Sequence, residues 1–126
     1  MSIPTAREKR VIKHAQDNGY INTRYVREAD LLEHCKTVLG MLGALVVRED
    51  HVSVNGVADL IFCYNGCFCA AELKSIEGKP SMTQLLFIQK VKKAKGYAAV
   101  CQTVGELLSL ALSTPHFVED DKDSQK

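Results

Sequence analysis

The dipeptide Asn65-Gly66 constrains this chain more than any other feature. It separates two strand-like runs, "VADLIFCY" and "CFCAAELK". Asn-Gly is the favoured centre of a two-residue type I′ turn, because that turn needs positive φ at both central positions. A two-residue turn then fixes the register. Tyr64 falls opposite Cys67, Phe62 opposite Cys69, Leu60 opposite Ala71 and Ala58 opposite Leu73. That face is wholly apolar and is expected to pack on the core. The other face pairs Cys63 with Phe68, Ile61 with Ala70, Asp59 with Glu72 and Val57 with Lys74, since side chains alternate along a strand. Two carboxylates therefore meet across the hairpin, with Cβ atoms about 5 Å apart and an ammonium two residues along.

Like charges directly opposed are destabilising unless something offsets them. Either one carboxyl is protonated or a cation sits between them. Lys74 supplies part of the compensation, and a divalent metal that prefers oxygen ligands would supply the rest. A plainer arrangement remains open at this point: a solvated edge where the two acids splay apart beside a lysine, or a one-residue bulge that breaks the pairing.

The rest of the chain reads as helices around this hairpin. Residues 5–18 form a short helix with Thr5 as N-cap, Glu8 closing a capping box and Gly19 as the stop. Its apolar face is thin, so it is expected to dock weakly or on a partner. A second helix covers 27–42, with Leu31, Leu32, Cys35, Val38, Leu39 and Leu42 at helical spacing. "ALVVRE" is a strand and "DHVSVNG" a loop. After the "GKP" turn, Ser81 and Gln84 form a capping box that opens a third helix. Leu85, Ile88 and Val91 face inward and Gly96 ends it. "YAAVCQ" is a further strand and "VGELLSLAL" a closing helix. The order α-α-β-ββ-α-β-α predicts a single α/β domain, a sheet wrapped by helices.

Composition excludes some classes. With 46% hydrophobic and 25% charged residues and a net charge of +1, the chain is neither a membrane-embedded protein nor a strongly basic one. No apolar run approaches the roughly 18 residues a membrane span needs, and the N-terminus lacks a signal-peptide core. The five cysteines show no paired C-x-x-C spacing, and three lie in the hairpin strands as small hydrophobes. A cytosolic protein with reduced thiols is expected. Charge is uneven: Lys and Arg crowd residues 7–13 and 90–95, whereas "VEDDKDSQK" is an acidic tail expected to be disordered.

The segment "GVADLI…AAELKSIEGKPSMTQLLFIQKVKKAKGYAAVCQT" resembles the PD-(D/E)xK nuclease core, and most closely its VRR-NUC family. The resemblance covers about residues 27–112 and rests on order and spacing: an acid after a glycine-led strand, E-x-K after a hairpin, then G-x-x-S-x-x-Q opening a helix. It implies a restriction-endonuclease-like mixed β-sheet flanked by helices. It further implies an N-terminal helical extension at 1–26, a nuclease domain at 27–114 and a tail at 115–126. Small stand-alone relatives of this size occur in phages and bacteria, which places the protein in the cytoplasm of a bacterial or phage-infected cell. One departure is visible: Ala58 stands where the family usually has proline, a residue that stiffens the backbone but brings no chemistry.

Carried over residue by residue, Asp59 and Glu72 match the family's metal-binding acids, with the Leu73 carbonyl as a third ligand. Lys74 matches the catalytic lysine and Gln84 the glutamine of the following helix. The family's first-helix glutamate has candidates in Glu28, Asp30 and Glu33. Helical phase selects Glu28, which lies on the stripe of Leu31, Leu32 and Cys35; the same residue also reads as an exposed acid favoured by the helix dipole. Gln84 reads equally as a cap bonding Ser81. Mg²⁺, with Mn²⁺ able to substitute, would activate water and polarise a phosphodiester. Lys74 would orient or deprotonate that water and stabilise the developing charge. Lys79, Ser81, Lys90, Lys92, Lys93, Lys95 and Arg48 are candidates for DNA contact, as is His51; a lysine run on a helix is also commonly a solvated face.

The resemblance implies a DNA endonuclease selective for branched or junction DNA and acting as a homodimer. An archaeal-type Holliday-junction resolvase shares the E…D…E-x-K pattern, and a nuclease-fold module that only binds DNA belongs to a different class. The intact set of Asp59, Glu72 and Lys74 favours an enzyme over the latter.

Overall fold

The computed structural model describes residues 3–49 and 56–116. His51, the rest of the loop at 50–55 and the acidic residues from 117 onward lie outside the described residues. The elements follow the expected order: α1 (Ala6–Asp17), α2 (Glu28–Leu42), β1 (Leu45–Glu49), β2 (Leu60–Tyr64), β3 (Cys67–Leu73), α3 (Met82–Lys93), β4 (Tyr97–Cys101) and α4 (Val104–Leu112). The four strands form one mixed sheet in the order β1-β2-β3-β4. β1, β2 and β3 pair antiparallel, and β3 pairs parallel with β4 through the α3 crossover.

The hairpin has the register set by its turn. Leu60 pairs with Ala71, Phe62 with Cys69 and Tyr64 with Cys67. Asn65 and Gly66 sit at φ 54° and 75°, the left-handed conformations that a type I′ turn requires. One face of the sheet, carrying Leu60, Phe62, Cys69, Ala71 and Leu73, meets α1, α2 and α4 in the main core. On the other face, Ile88 and Val91 of α3 pack against Ala58, Ala70 and Ala98, where small side chains let the helix approach closely. The sheet is thus flanked by helices on both sides. All five cysteines are free thiols. No described helix is long and apolar enough to cross a membrane.

The structure departs from the expected arrangement at three places. The β2–β3 ladder ends at Leu60–Ala71, and the chain bends at Asp59. Asp59 therefore does not pair with Glu72 in this ladder, nor Val57 with Lys74, and Ala58 joins the α3 face instead of lying opposite Leu73 on the core face. Leu85 does not point inward; it is 40% exposed, and Gln84 is the buried residue of that turn. Finally, α1 is not weakly held. Val11 and Ala15 are buried in the main core, and Arg7 Nε donates to the Met41 carbonyl at 2.8 Å.

The reason α1 docks so firmly is polar. Glu8 is 1% exposed, and its carboxylate accepts from the Thr5 amide at 2.9 Å and from the Tyr64 hydroxyl at 2.5 Å, with His116 Nε2 at 2.9 Å. Burial alone would raise the Glu8 pKa. The bonds from Tyr64, Thr5 and His116 outweigh it and hold the carboxyl below its usual range.

Candidate active site

The candidate site forms where β2 begins, where β3 ends and where α2 begins. Asp59 stands in the bend before β2, 1% exposed, and its Oδ2 accepts the Leu73 amide at 3.0 Å. That bond replaces the ladder pairing lost at the bend and turns the carboxylate toward the end of β3. Glu72, on β3, is fully buried on the face opposite Leu73. Lys74 follows directly, its backbone amide donating to the Cys101 carbonyl at 3.0 Å. The Lys74 ammonium lies 3.3 Å from Glu72 Oε2 and 4.0 Å from Glu28 Oε2. Glu28 occupies the first turn of α2, as helical phase selected; Asp30 is engaged instead by Arg27 and Glu33 by Lys36.

The electrostatics of this group are unfinished. Neither oxygen of Glu72 has a hydrogen-bond donor, and both are buried. The contact from Lys74 has ion-pair rather than hydrogen-bond geometry. Burial pushes the Glu72 pKa up to about 7, helped by the Asp59 charge, while Lys74 pulls the other way. Asp59 is also raised, mainly by burial, against the lowering effect of the Leu73 amide. Two buried carboxylates with one lysine leave negative charge that protein groups do not balance.

Hard oxygen donors in a buried, charge-deficient cluster fit a Mg²⁺-type cation, which would be held by Asp59 and Glu72. Among the described residues, no three His, Cys, Asp or Glu side chains already stand as a closed metal-binding group. Glu28 reaches this group through Lys74, whose ammonium lies 4.0 Å from its Oε2. A complete ligand set would therefore draw on backbone carbonyl, water or substrate oxygens, as Mg²⁺ commonly does.

The remaining candidates are placed as follows. Gln84 is buried, and its Oε1 accepts the Ser81 amide at 2.8 Å, while Ser81 Oγ accepts the Gln84 amide at 3.2 Å. The capping box is therefore formed. Gly56 joins this helix start to the entrance of β2: its φ is +74°, and a Cβ there would lie 2.9 Å from Thr83 Cβ. The glycine is needed for both conformation and close approach. Arg48 Nε donates to the Ala58 carbonyl at 3.0 Å, bracing the residue before Asp59. Lys79 is exposed on the loop after β3. Lys90, Lys92 and Lys93 are exposed in the last turn of α3, roughly 14–18 Å along the helix from Ser81 at 1.5 Å per residue.

Two features lay outside the sequence reading. The segment before α2 runs beside the loop after β3, joined by the Ile76 amide donating to the Tyr25 carbonyl at 2.8 Å. Only a nonlocal contact reveals that juxtaposition. Gly78 closes the same corner, since a Cβ on it would meet Glu28 Oε2 at 3.0 Å and Lys74 Cδ at 3.3 Å. No family model, curated protein or solved structure matches this chain.

Proposed function

We propose that this protein is a Mg²⁺-dependent DNA endonuclease of the restriction-endonuclease-like fold, akin to stand-alone VRR-NUC proteins. The observation that carries the reading is the buried pair Asp59 and Glu72, with the Glu72 oxygens unbonded and the Lys74 ammonium beside them. A fold gains nothing from burying two acids this way, since an unsatisfied buried carboxylate is destabilising. The arrangement suits a site that receives a cation and an anionic substrate. When bound by Asp59 and Glu72, with the Leu73 carbonyl and Glu28 nearby, Mg²⁺ or Mn²⁺ would supply Lewis-acid polarisation of the phosphate and a more acidic water.

The chain's own residues do the rest. Lys74 holds a positive charge next to the scissile phosphate and stabilises the charge that develops on its oxygens. Glu28, 4.0 Å from that ammonium, keeps it oriented. Gln84 fixes the start of α3 and so positions the Ser81 and Lys79 side of the cleft. Lys92 and Lys93, with Arg48 toward the opposite strand, would meet phosphates farther along a bound duplex.

The test is a cleavage panel of linear duplex, flap, splayed arm and four-way junction with Mg²⁺, Mn²⁺ or EDTA. Cutting with either metal and none in EDTA is expected, with branched substrates preferred. Lys74→Ala should lose about 10²–10³-fold in rate, and Lys74→Arg should not restore it, because the guanidinium differs in shape and does not give up its proton. Near-wild-type cutting by Lys74→Ala would reduce Lys74 to a counter-ion.

A homodimer is part of this reading, since a two-fold pair of sites matches the two strands of a branched substrate. The support lies in β1, an edge strand whose Leu45 and Val47 are 67% and 68% exposed. Light scattering should give twice the 13.9 kDa chain mass, and a monomer that still cuts junctions in a coordinated way would remove the dimer.

A further inference from the structure

Two exposed apolar side chains stand at the rim of the candidate site. Val26 is 81% exposed and Ile76 is 48% exposed. Val26 lies two residues before Glu28, and Ile76 two residues after Lys74, so each is tethered to a site residue. The bond from the Ile76 amide to the Tyr25 carbonyl, 2.8 Å, binds the two segments into one ridge. The tight corner at Gly78 against Glu28 and Lys74 fixes the ridge relative to the acids.

Nothing in the fold explains these two residues. Neither belongs to a core cluster or packs against one. Their surroundings are charged: Arg24 and Lys79 are exposed and have no ion-pair partner among the described residues. Glu77, next to Ile76, is exposed as well. A ridge meant for phosphate would not set an isoleucine beside an acid. Aliphatic side chains gain nothing from a phosphate, but they do gain from the faces of unstacked bases, where such residues act as wedges. Arg24 and Lys79 on either side suit the backbone phosphates that accompany those bases.

We propose that Val26 and Ile76 form an apolar wedge that takes unstacked nucleobases of DNA at a branch point or frayed end. This rests on the reading of the adjacent acids as a DNA-cleaving site, and it gives that site a reason to prefer branches. Opening a base step costs a few kcal/mol in continuous duplex and least where stacking is already lost. The wedge therefore selects junction centres and ends over intact duplex.

The experiment uses a four-way junction and a matched linear duplex, each with 2-aminopurine, at the branch or at mid-duplex. Binding is followed in Ca²⁺ and cleavage in Mg²⁺, for the wild type and for Val26→Ser/Ile76→Ser. The wild type should raise the fluorescence of the junction probe and not of the duplex probe. The double variant should lose that rise and lose junction-over-duplex preference by about tenfold or more, given the worth of one base contact. Its Mn²⁺-dependent rise in melting temperature should persist, showing an intact fold and acid pair. A variant that unstacks and discriminates like the wild type overturns the wedge while leaving the nuclease reading standing. A variant that becomes monomeric yet keeps the fluorescence rise assigns the ridge to a second copy and overturns it too. A wild-type protein that cuts none of the DNA substrates removes the nuclease reading, and the wedge with it.

Discussion

At the scale of single residues, Glu72 and Glu8 are both buried glutamates with opposite titration behaviour. Glu8 is met by three donors, so its folded pKa is lowered. The folded pKa of Glu72 is raised to about 7 by burial and by the Asp59 charge, against the opposing pull of Lys74. A raised folded pKa means that Glu72 contributes stability in full below its unfolded value of 4.5 and loses it as pH rises through about 7. Asp59 carries the same sign. In EDTA, Glu72→Gln should therefore be more stable than the wild type at about pH 8, with the advantage shrinking toward about pH 5. Chemical denaturation at the two pH values measures this. An advantage that grew on acidification would show that Glu72 is held as a carboxylate by groups of the chain itself.

At the scale of elements, α1 shows how one side chain decides where a helix docks. The Glu8 carboxylate ties the first turn of α1 to Tyr64 at the end of β2 and to His116 after α4. Tyr64→Phe should cost about 1–3 kcal/mol at neutral pH, the range for leaving a buried acceptor one bond short. Because the Glu8 pKa is lowered, its contribution is present above 4.5 and is lost as pH falls through the folded value. The penalty of Tyr64→Phe should then shrink in acid; a penalty unchanged there would assign it to packing alone. Local signals made much of this level legible in the sequence. The Asn-Gly turn set the hairpin register, and the capping boxes at Thr5 and Ser81 marked two helix starts. Glu8 was legible only as a cap, because its partners lie 56 and 108 residues away. The exposure of Leu85 was not legible either. Periodicity shows an apolar stripe but not where the sheet ends, and here a buried Gln84 takes the inward position. The bend at Asp59 escaped for the same reason: the hairpin rule runs until a tertiary contact, here the Leu73 amide, stops it.

For the whole molecule, the layered arrangement explains why the candidate site lies where it does. The antiparallel hairpin brings Asp59 to the end of β3, the α3 crossover buries the face carrying Glu72, and α2 delivers Glu28 from the other layer. The sequence showed which residue types would gather, through the E-x-K spacing and the hairpin register. It did not show that segments 24–27 and 75–79 join beside them, since no local pattern encodes that contact. The proposed nuclease depends above all on Asp59 and Glu72 forming a divalent-metal site. Titration of Mn²⁺ into the wild type and Asp59→Ala, by calorimetry with a parallel melting curve, tests it most directly. The wild type should bind about one ion per chain and melt at a higher temperature in Mn²⁺, as ligand binding to the folded state requires, and Asp59→Ala should show neither effect. Equal binding by the two proteins, or no binding by the wild type, would contradict the claim.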